Sequence, residues 1–349
     1  MKNFLYMLLI LLFFFGCNTS PPDDGGITVY VAGYYDTGLS YTAAAYWTDD
    51  GTTITRVDLD VPTLKDSQAT DIFITDSGSI YISGYYINAS DIQVAVYWKD
   101  GVQSGDLSNP MTNSAQASGI TVDSGGTVYV SGYYWNLSEY NASVYWTDDG
   151  SISETVLGSG INARATDIIL DGSSVYVSGK TVNNYAAYWL DNSSGLAELD
   201  TTITSTAQGI FHDGTNVFIA GRYQSGTAAY WQTDSSTRTD LVSPGGHAYG
   251  IWVDDGSVYV TGDYFVSLTY GNRRATWWLD DSSPQAELVG EDSNYATSAY
   301  DITVDGSDIY VSGTQTTATV TEAIYWKNGA VVPLESGTES RANAIYLAQ

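Results

Sequence analysis

The chain has 349 residues, with 12 Lys plus Arg against 40 Asp plus Glu and a formal net charge of −28. Phosphate binding needs cationic side chains, so this excess argues against nucleic acid and against an electrostatic grip on anionic lipid; it suits a soluble, self-repelling surface. A single Cys leaves no internal disulfide, so stability must come from packing.

Residues 1–17 read as a targeting segment. Lys2 supplies a positive start, and Phe4 to Phe15 is apolar apart from Tyr6. Such a run is too short for a bilayer, which takes about 20 residues. A short apolar core behind a positive start is a secretory signal. The only Cys, Cys17, follows Gly16 directly. The segment resembles a bacterial lipoprotein signal, although Phe14 and Phe15 stand where that pattern has Leu and a small residue. The resemblance implies that Cys17 is lipidated and becomes the mature N-terminus. The alternative is an ordinary secretory signal with an incidental Cys. Residues 18–26 are polar and rich in Pro and Gly, a flexible tether. In enterobacterial lipoproteins an Asp after the Cys resembles an inner-membrane retention signal. Asn18 stands there instead, so the resemblance implies a cell-envelope location, outer membrane or cell surface, held through the lipid anchor only.

Residues 27–349 are repetitive. A pattern of the type Val-Tyr-Val-Ser-Gly, a gap, then Ala-x-Tyr-Trp recurs with variations in seven copies, the aromatic pairs beginning at residues 46, 97, 145, 188, 230, 277 and 325 and the sixth being Trp277-Trp278. Periods of about 40–50 residues holding several short strands signal propeller blades. Each copy after the first is preceded by Ala-x-(Asp/Gly)-Ile, as at Ala69 to Ile72 and Ala248 to Ile251. One repeat therefore reads as four strands, with Asp-Gly turns supplying the positive φ that tight hairpins need. The first copy begins at its second strand, and the chain finishes on a lone first-strand motif, Ala342 to Leu347. These features predict an all-β fold: a seven-bladed β-propeller of four-stranded blades, closed by the C-terminal strand pairing into the N-terminal blade.

The repeat also resembles the extracellular repeats named for a His-Ala-Phe motif. The residues that carry this are Ala228-Ala229-Tyr230-Trp231, Leu241, Ala248-Tyr249-Gly250-Ile251 and Val258-Tyr259-Val260. Tyr replaces Phe, and no His precedes the Ala. The resemblance implies a secreted propeller and no particular ligand.

Binding residues are expected on the loops joining second to third strands and one blade to the next, because these vary in length while the opposite turns are short. Tyr34-Tyr35, Tyr85-Tyr86 and Tyr133-Tyr134-Trp135 enrich three of them; Asp263-Tyr264-Phe265, Tyr270, Arg273 and Arg274 enrich a fourth. Tyr35, Tyr86, Trp135, Tyr264, Tyr270 and Arg273 form the candidate ligand-binding set, an aromatic platform for sugar rings or an extended peptide. The bland alternative is packing between blades, which is the expectation for the seven Tyr-Trp pairs. Asp71, Asp167 and Asp301 begin first strands, where Gly119, Gly209, Gly250 and Ala344 stand in other copies. Hard oxygens there suit Ca²⁺, but the carboxylates can instead bond local backbone amides. No other cofactor is indicated. With His212 and His247 the only histidines, no catalytic residue is assigned. The sequence thus points to a monomeric, non-enzymatic scaffold for a glycan or protein partner; the alternatives are a carbohydrate-active lyase or hydrolase on the same face, or a structural envelope component.

Overall fold

Seven four-stranded antiparallel sheets form a ring, a seven-bladed β-propeller. The structure is a computed structural model that describes residues 26–108, 114–135, 141–224, 226–233, 237–241, 245–265, 273–280 and 286–349. Cys17, Tyr270 and most of the tether lie outside the described residues. Blades are numbered 1 to 7 in chain order. Among the described residues the one helical element is a single 3₁₀ turn, Ser193–Gly195.

Blade 1 holds the closure. The C-terminal strand Ser340–Ala348 is innermost, followed by Thr28–Asp36, Thr42–Asp49 and Ile54–Asp58. Leu347 sits opposite Val29 and Tyr346 opposite Tyr30. Thr28–Asp36 is thereby paired on both sides, so blade 1 has the same four strands as the other blades. In the other blades the innermost strand comes first in sequence, as in blade 2, where Ser67–Ile74 precedes Ile80–Ile87, Gln93–Lys99 and Val102–Asp106. Several hairpins carry the predicted turn chemistry. Asp100-Gly101, Asp255-Gly256 and Asn328-Gly329 all have positive φ at both central residues, the geometry that matches strand twist.

The repeated motif builds the core. The Trp of each copy is 2% exposed or less in all seven blades, and burying a large apolar side chain contributes roughly 1.5–3 kcal/mol. The preceding Tyr ties neighbouring blades. Tyr97 donates its hydroxyl to Asp148 Oδ2, Tyr145 to the Asp191 carbonyl and Tyr325 to Asp49 Oδ2, each at 2.7 Å. The last of these crosses the closure from blade 7 to blade 1.

The motif Gly has a steric cause. The innermost strand is bulged relative to the second strand in every blade, after the motif Ala or opposite it. Beside the bulge, the carbonyl of the residue before the motif Ala lies against the second strand. A Cβ at Gly33, Gly84, Gly132, Gly179, Gly221, Gly262 or Gly313 would overlap that carbonyl oxygen. Only Gly permits so close a backbone approach.

Candidate functional site: the central channel and its mouth

The seven inner strands enclose a channel of about 970 Å³. Strand direction divides it into three tiers. At the end beside the Asp-Gly turns the wall is aromatic, with Phe73 packed edge-on against Tyr346 at 5.6 Å and Phe211 tilted on Trp252 at 5.0 Å. The middle tier carries Asp71, Asp167 and Asp301. The far end, beside the variable loops, is polar and cationic.

In the middle tier each Asp bridges two blades. Asp71 accepts from its neighbour Ile72 N and from Ile120 N of blade 3, both at 2.8 Å. Asp167 does the same with Ile168 N and Ile210 N of blade 5, and Asp301 with Ile302 N and Ile345 N of blade 1. These residues open only onto the channel, and protein surrounds their carboxylates. Burial pushes all three above the ordinary carboxylate value: Asp301 to about 6, Asp167 to about 7, and Asp71 well up, with the charges of Asp167 and Asp301 adding to the effect. The bridging amides pull the other way. The glycines at the same position serve the same seams. A Cβ on Gly119 would lie 2.8 Å from Asp167 Oδ1, and one on Gly250 would lie 2.8 Å from the Asp301 Cα. Among the described residues no three His, Cys, Asp or Glu side chains are grouped to hold a metal ion. The oxygens considered for Ca²⁺ face backbone amides.

At the loop-side mouth, the residue before each motif Ala sits opposite the residue after each motif Gly. Arg164 pairs with Lys180, Thr206 with Arg222, His247 with Asp263 and Arg341 with Tyr34. Arg164, Lys180, Arg222 and Arg341 all line the channel. Arg164 lies over the Tyr133 ring at 4.7 Å and Arg341 over Tyr300 at 3.9 Å. Each guanidinium thus rests on a Tyr of the preceding blade, which holds its plane. Burial lowers the Lys180 pKa, and the charges of Arg164 and Arg222 lower it further.

Arg222 Nη1 lies 2.6 Å from His247 Nε2. Arg can only donate, so Nε2 accepts and the ring proton sits on Nδ1. That nitrogen faces the Tyr249 hydroxyl at 3.0 Å and Asp263 Oδ1 at 3.3 Å. Asp263 is fully buried, and its other oxygen receives Arg273 Nη1 at 2.9 Å. The Tyr249 phenol is pushed up to about 12, first by burial and then by Asp263. It therefore stays protonated near neutrality.

The structure separates the members of the expected platform. Tyr35 bonds Asp58 on the outer strand of its own blade, with the Arg56 guanidinium 3.7 Å over its ring. Tyr86 is 4% exposed and bonds Asp106. Tyr264 bonds Glu287 at 2.5 Å. Tyr223, not singled out in the sequence, repeats the pattern with Asp240 and Arg238. These hydroxyls clamp strands within a blade. Trp135 is half-buried, 5.7 Å from Tyr133. Arg273 alone of the described set joins the mouth network. The first tyrosines of the doublets gather instead: Tyr85 feels both Tyr34 and Tyr133, and burial with these neighbours pushes it to about 12. Arg164, Lys180, Arg222, Arg341 and Tyr300 were missed. The available signal was positional: they flank repeated residues yet differ between copies.

No protein-family model and no curated protein sequence matches the chain. Solved structures do. The β-propeller domain of the Trilobed protease from Pyrococcus furiosus is similar over 89% of this chain and 95% of that one, at 12% identity and a TM-score of 0.53. Trypanosoma rangeli sialidase with 2,3-difluorosialic acid, a covalent intermediate, is similar over 88% of this chain and 52% of that one, at 11% identity and a TM-score of 0.51. The same sialidase in complex with sialic acid is similar over 89% of this chain and 52% of that one, at 11% identity and a TM-score of 0.49. The chain spans about half the length of the sialidases it matches. At this identity the likeness shows the fold alone.

Proposed function

We propose that the propeller is a non-enzymatic binding scaffold that takes a glycan or protein partner at the loop-side mouth of its channel. The carrying observation is the mouth itself, where side chains from most of the blades converge on one concavity. The whole channel onto which it opens has a volume of about 970 Å³, at the upper end of ligand sites, about 300–1,000 Å³. The surrounding loops add exposed apolar residues, Leu39 at 71% and Leu64 at 80%, which suit a protein rim. A glycan array followed by product analysis tests the reading. Retention without cleavage supports it; released oligosaccharide overturns it.

That second outcome has one favouring observation. His247 and Tyr249 form an acid/base-capable contact beside the channel, so the carbohydrate-active enzyme is the second reading. The raised Tyr249 pKa speaks against a phenolate base at neutral pH. A third reading, a structural envelope component, is favoured by recovery of one stable partner and no small ligand.

The proposal includes a lipid anchor on Cys17, a cell-envelope location and a monomeric propeller. More than one acyl chain is needed for stable attachment. Intact-mass measurement of the membrane-extracted protein checks this: an acylated Cys17 supports it, and an unmodified thiol or a cleavage elsewhere overturns it.

A further inference from the structure

In a chain with 40 acidic and 12 basic residues, a base without a carboxylate beside it is unexpected. Arg56, Lys65, Arg238, Arg273 and Lys327 each have one within ion-pair distance. Among the described residues, six have none: Lys99 lies over the Tyr81 ring and Arg274 donates to the Tyr295 and Ser293 carbonyls, whereas Arg164, Lys180, Arg222 and Arg341 line one end of one channel. Their contacts hold them without neutralising them. Arg164 and Arg341 lie on tyrosine rings, and Arg222 donates to a neutral imidazole nitrogen. Arg341 Nε is buried with no hydrogen-bond partner. Lys180 lies where Arg164 and Arg222 repel its charge. Like charges gathered in a partly buried site are unfavourable until an anion enters.

We propose that the mouth binds the acidic group of an anionic glycan, a carboxylate or sulfate on a sugar at or near a chain end. This rests on the scaffold reading above and names its ligand class. Planar guanidiniums fixed on rings present paired donors that match a carboxylate or sulfate in two-point contact. Gln68, Gln116 and Thr206 line the same space and offer both donors and acceptors to sugar hydroxyls. The rest of the molecule limits the ligand to a short anionic stretch. A long polyanion laid across the face would run over a surface whose net charge is −28, so only the part inside the mouth meets cations.

The test is calorimetric titration of the full chain with a galacturonate oligosaccharide, its methyl-esterified neutral form, a sulfated galactan oligosaccharide and an oligoglutamate peptide, in 150 and 500 mM NaCl. The expected result is binding of the galacturonate or the sulfated oligomer at least tenfold tighter than the neutral form, weakened at the higher salt. Which of the two binds identifies the acidic group. Arg164→Gln/Lys180→Gln/Arg222→Gln should lose at least tenfold in affinity, and Arg238→Gln, on a paired outer-strand base, should lose nothing. Should the triple variant misfold, Arg164→Gln alone is expected to lose at least threefold with an unchanged melting temperature. Equal binding of the neutral form, or a folded triple variant that binds as the parent does, overturns the inference while leaving the scaffold reading intact. Preferential binding of the oligoglutamate overturns it in favour of a protein ligand. No binding of any probe also overturns it, and the scaffold reading is then judged on the array alone.

Discussion

At the scale of single residues, the repeat is legible because each of its letters answers one steric or burial demand. The motif Gly is the sharpest case. A methyl group at Gly84 would overlap the Gln68 carbonyl and come within 2.9 Å of Trp98 Cζ3. Neither neighbour can yield, since one is ladder backbone and the other a fully buried ring. Gly84→Ala should therefore cost about 2–3 kcal/mol by denaturant unfolding. Gly158→Ala is the contrast, because its Cβ would meet Ser143 Oγ at an ordinary 3.5 Å; it should change stability by less than about 0.5 kcal/mol. Equal costs at the two sites would refute the overlap as the reason for the motif. The tyrosine doublets were legible only in part. The second member finds an acid about one hairpin later in sequence, as Tyr86 finds Asp106. Composition announces an aromatic loop, but nothing local says which face a given ring takes.

At the scale of the strand, the alternation of Asp and Gly at one position reads as noise until neighbouring blades are set side by side. Asp301 lends a carboxylate oxygen to Ile345 of blade 1, and Gly250 leaves room for Asp301. Each letter answers to the adjacent sheet, some 40–50 residues away, so a single repeat cannot explain it. These bridges are also titratable. Asp301 has a folded value of about 6 against an ordinary 3.8. A group raised in this way contributes stability that is full below the unfolded value and is lost as pH rises through the folded one. The parent should thus lose stability between about pH 4 and 7 at this site, by on the order of 2 kcal/mol. Asp301→Asn removes the titration, although it also gives up an acceptor for one amide. The melting temperature of Asp301→Asn minus that of the parent should therefore be larger at pH 7.5 than at pH 4.5. A difference independent of pH would mean that the carboxylate is not held up by burial.

At the scale of the whole molecule, ring closure and net charge decide behaviour. Deleting Ser340 to Gln349 strips the inner strand from blade 1, leaves Thr28–Asp36 with an open edge and removes the Ile345 amide from Asp301. The truncated chain should unfold at least about 10 °C lower or aggregate, and a synthetic peptide of residues 339–349 should restore part of the loss. A truncated chain that melts with the parent would show that the seven sheets hold without closure.

Charge acts on this ring in two opposed ways, which salt separates. The net charge of −28 repels itself, so the melting temperature should rise steadily as NaCl is raised. An acidic sugar approaching the mouth meets the same repulsion at long range and four unpaired cations at contact. The screening length is about 30 Å in 0.01 M salt and about 8 Å in 0.15 M. Low salt therefore lets the whole acidic surface act on the ligand. Salt near 0.15 M silences the distant carboxylates first and leaves the cations in contact largely unscreened. Still higher salt weakens those contacts too. Affinity for the acidic oligosaccharide should accordingly pass through a maximum near 0.1 M NaCl, whereas affinity for a neutral one should stay flat. A monotonic fall from 0.01 M upward would mean that the mouth does not feel the rest of the surface, and a monotonic rise would mean that its cations do not hold the ligand.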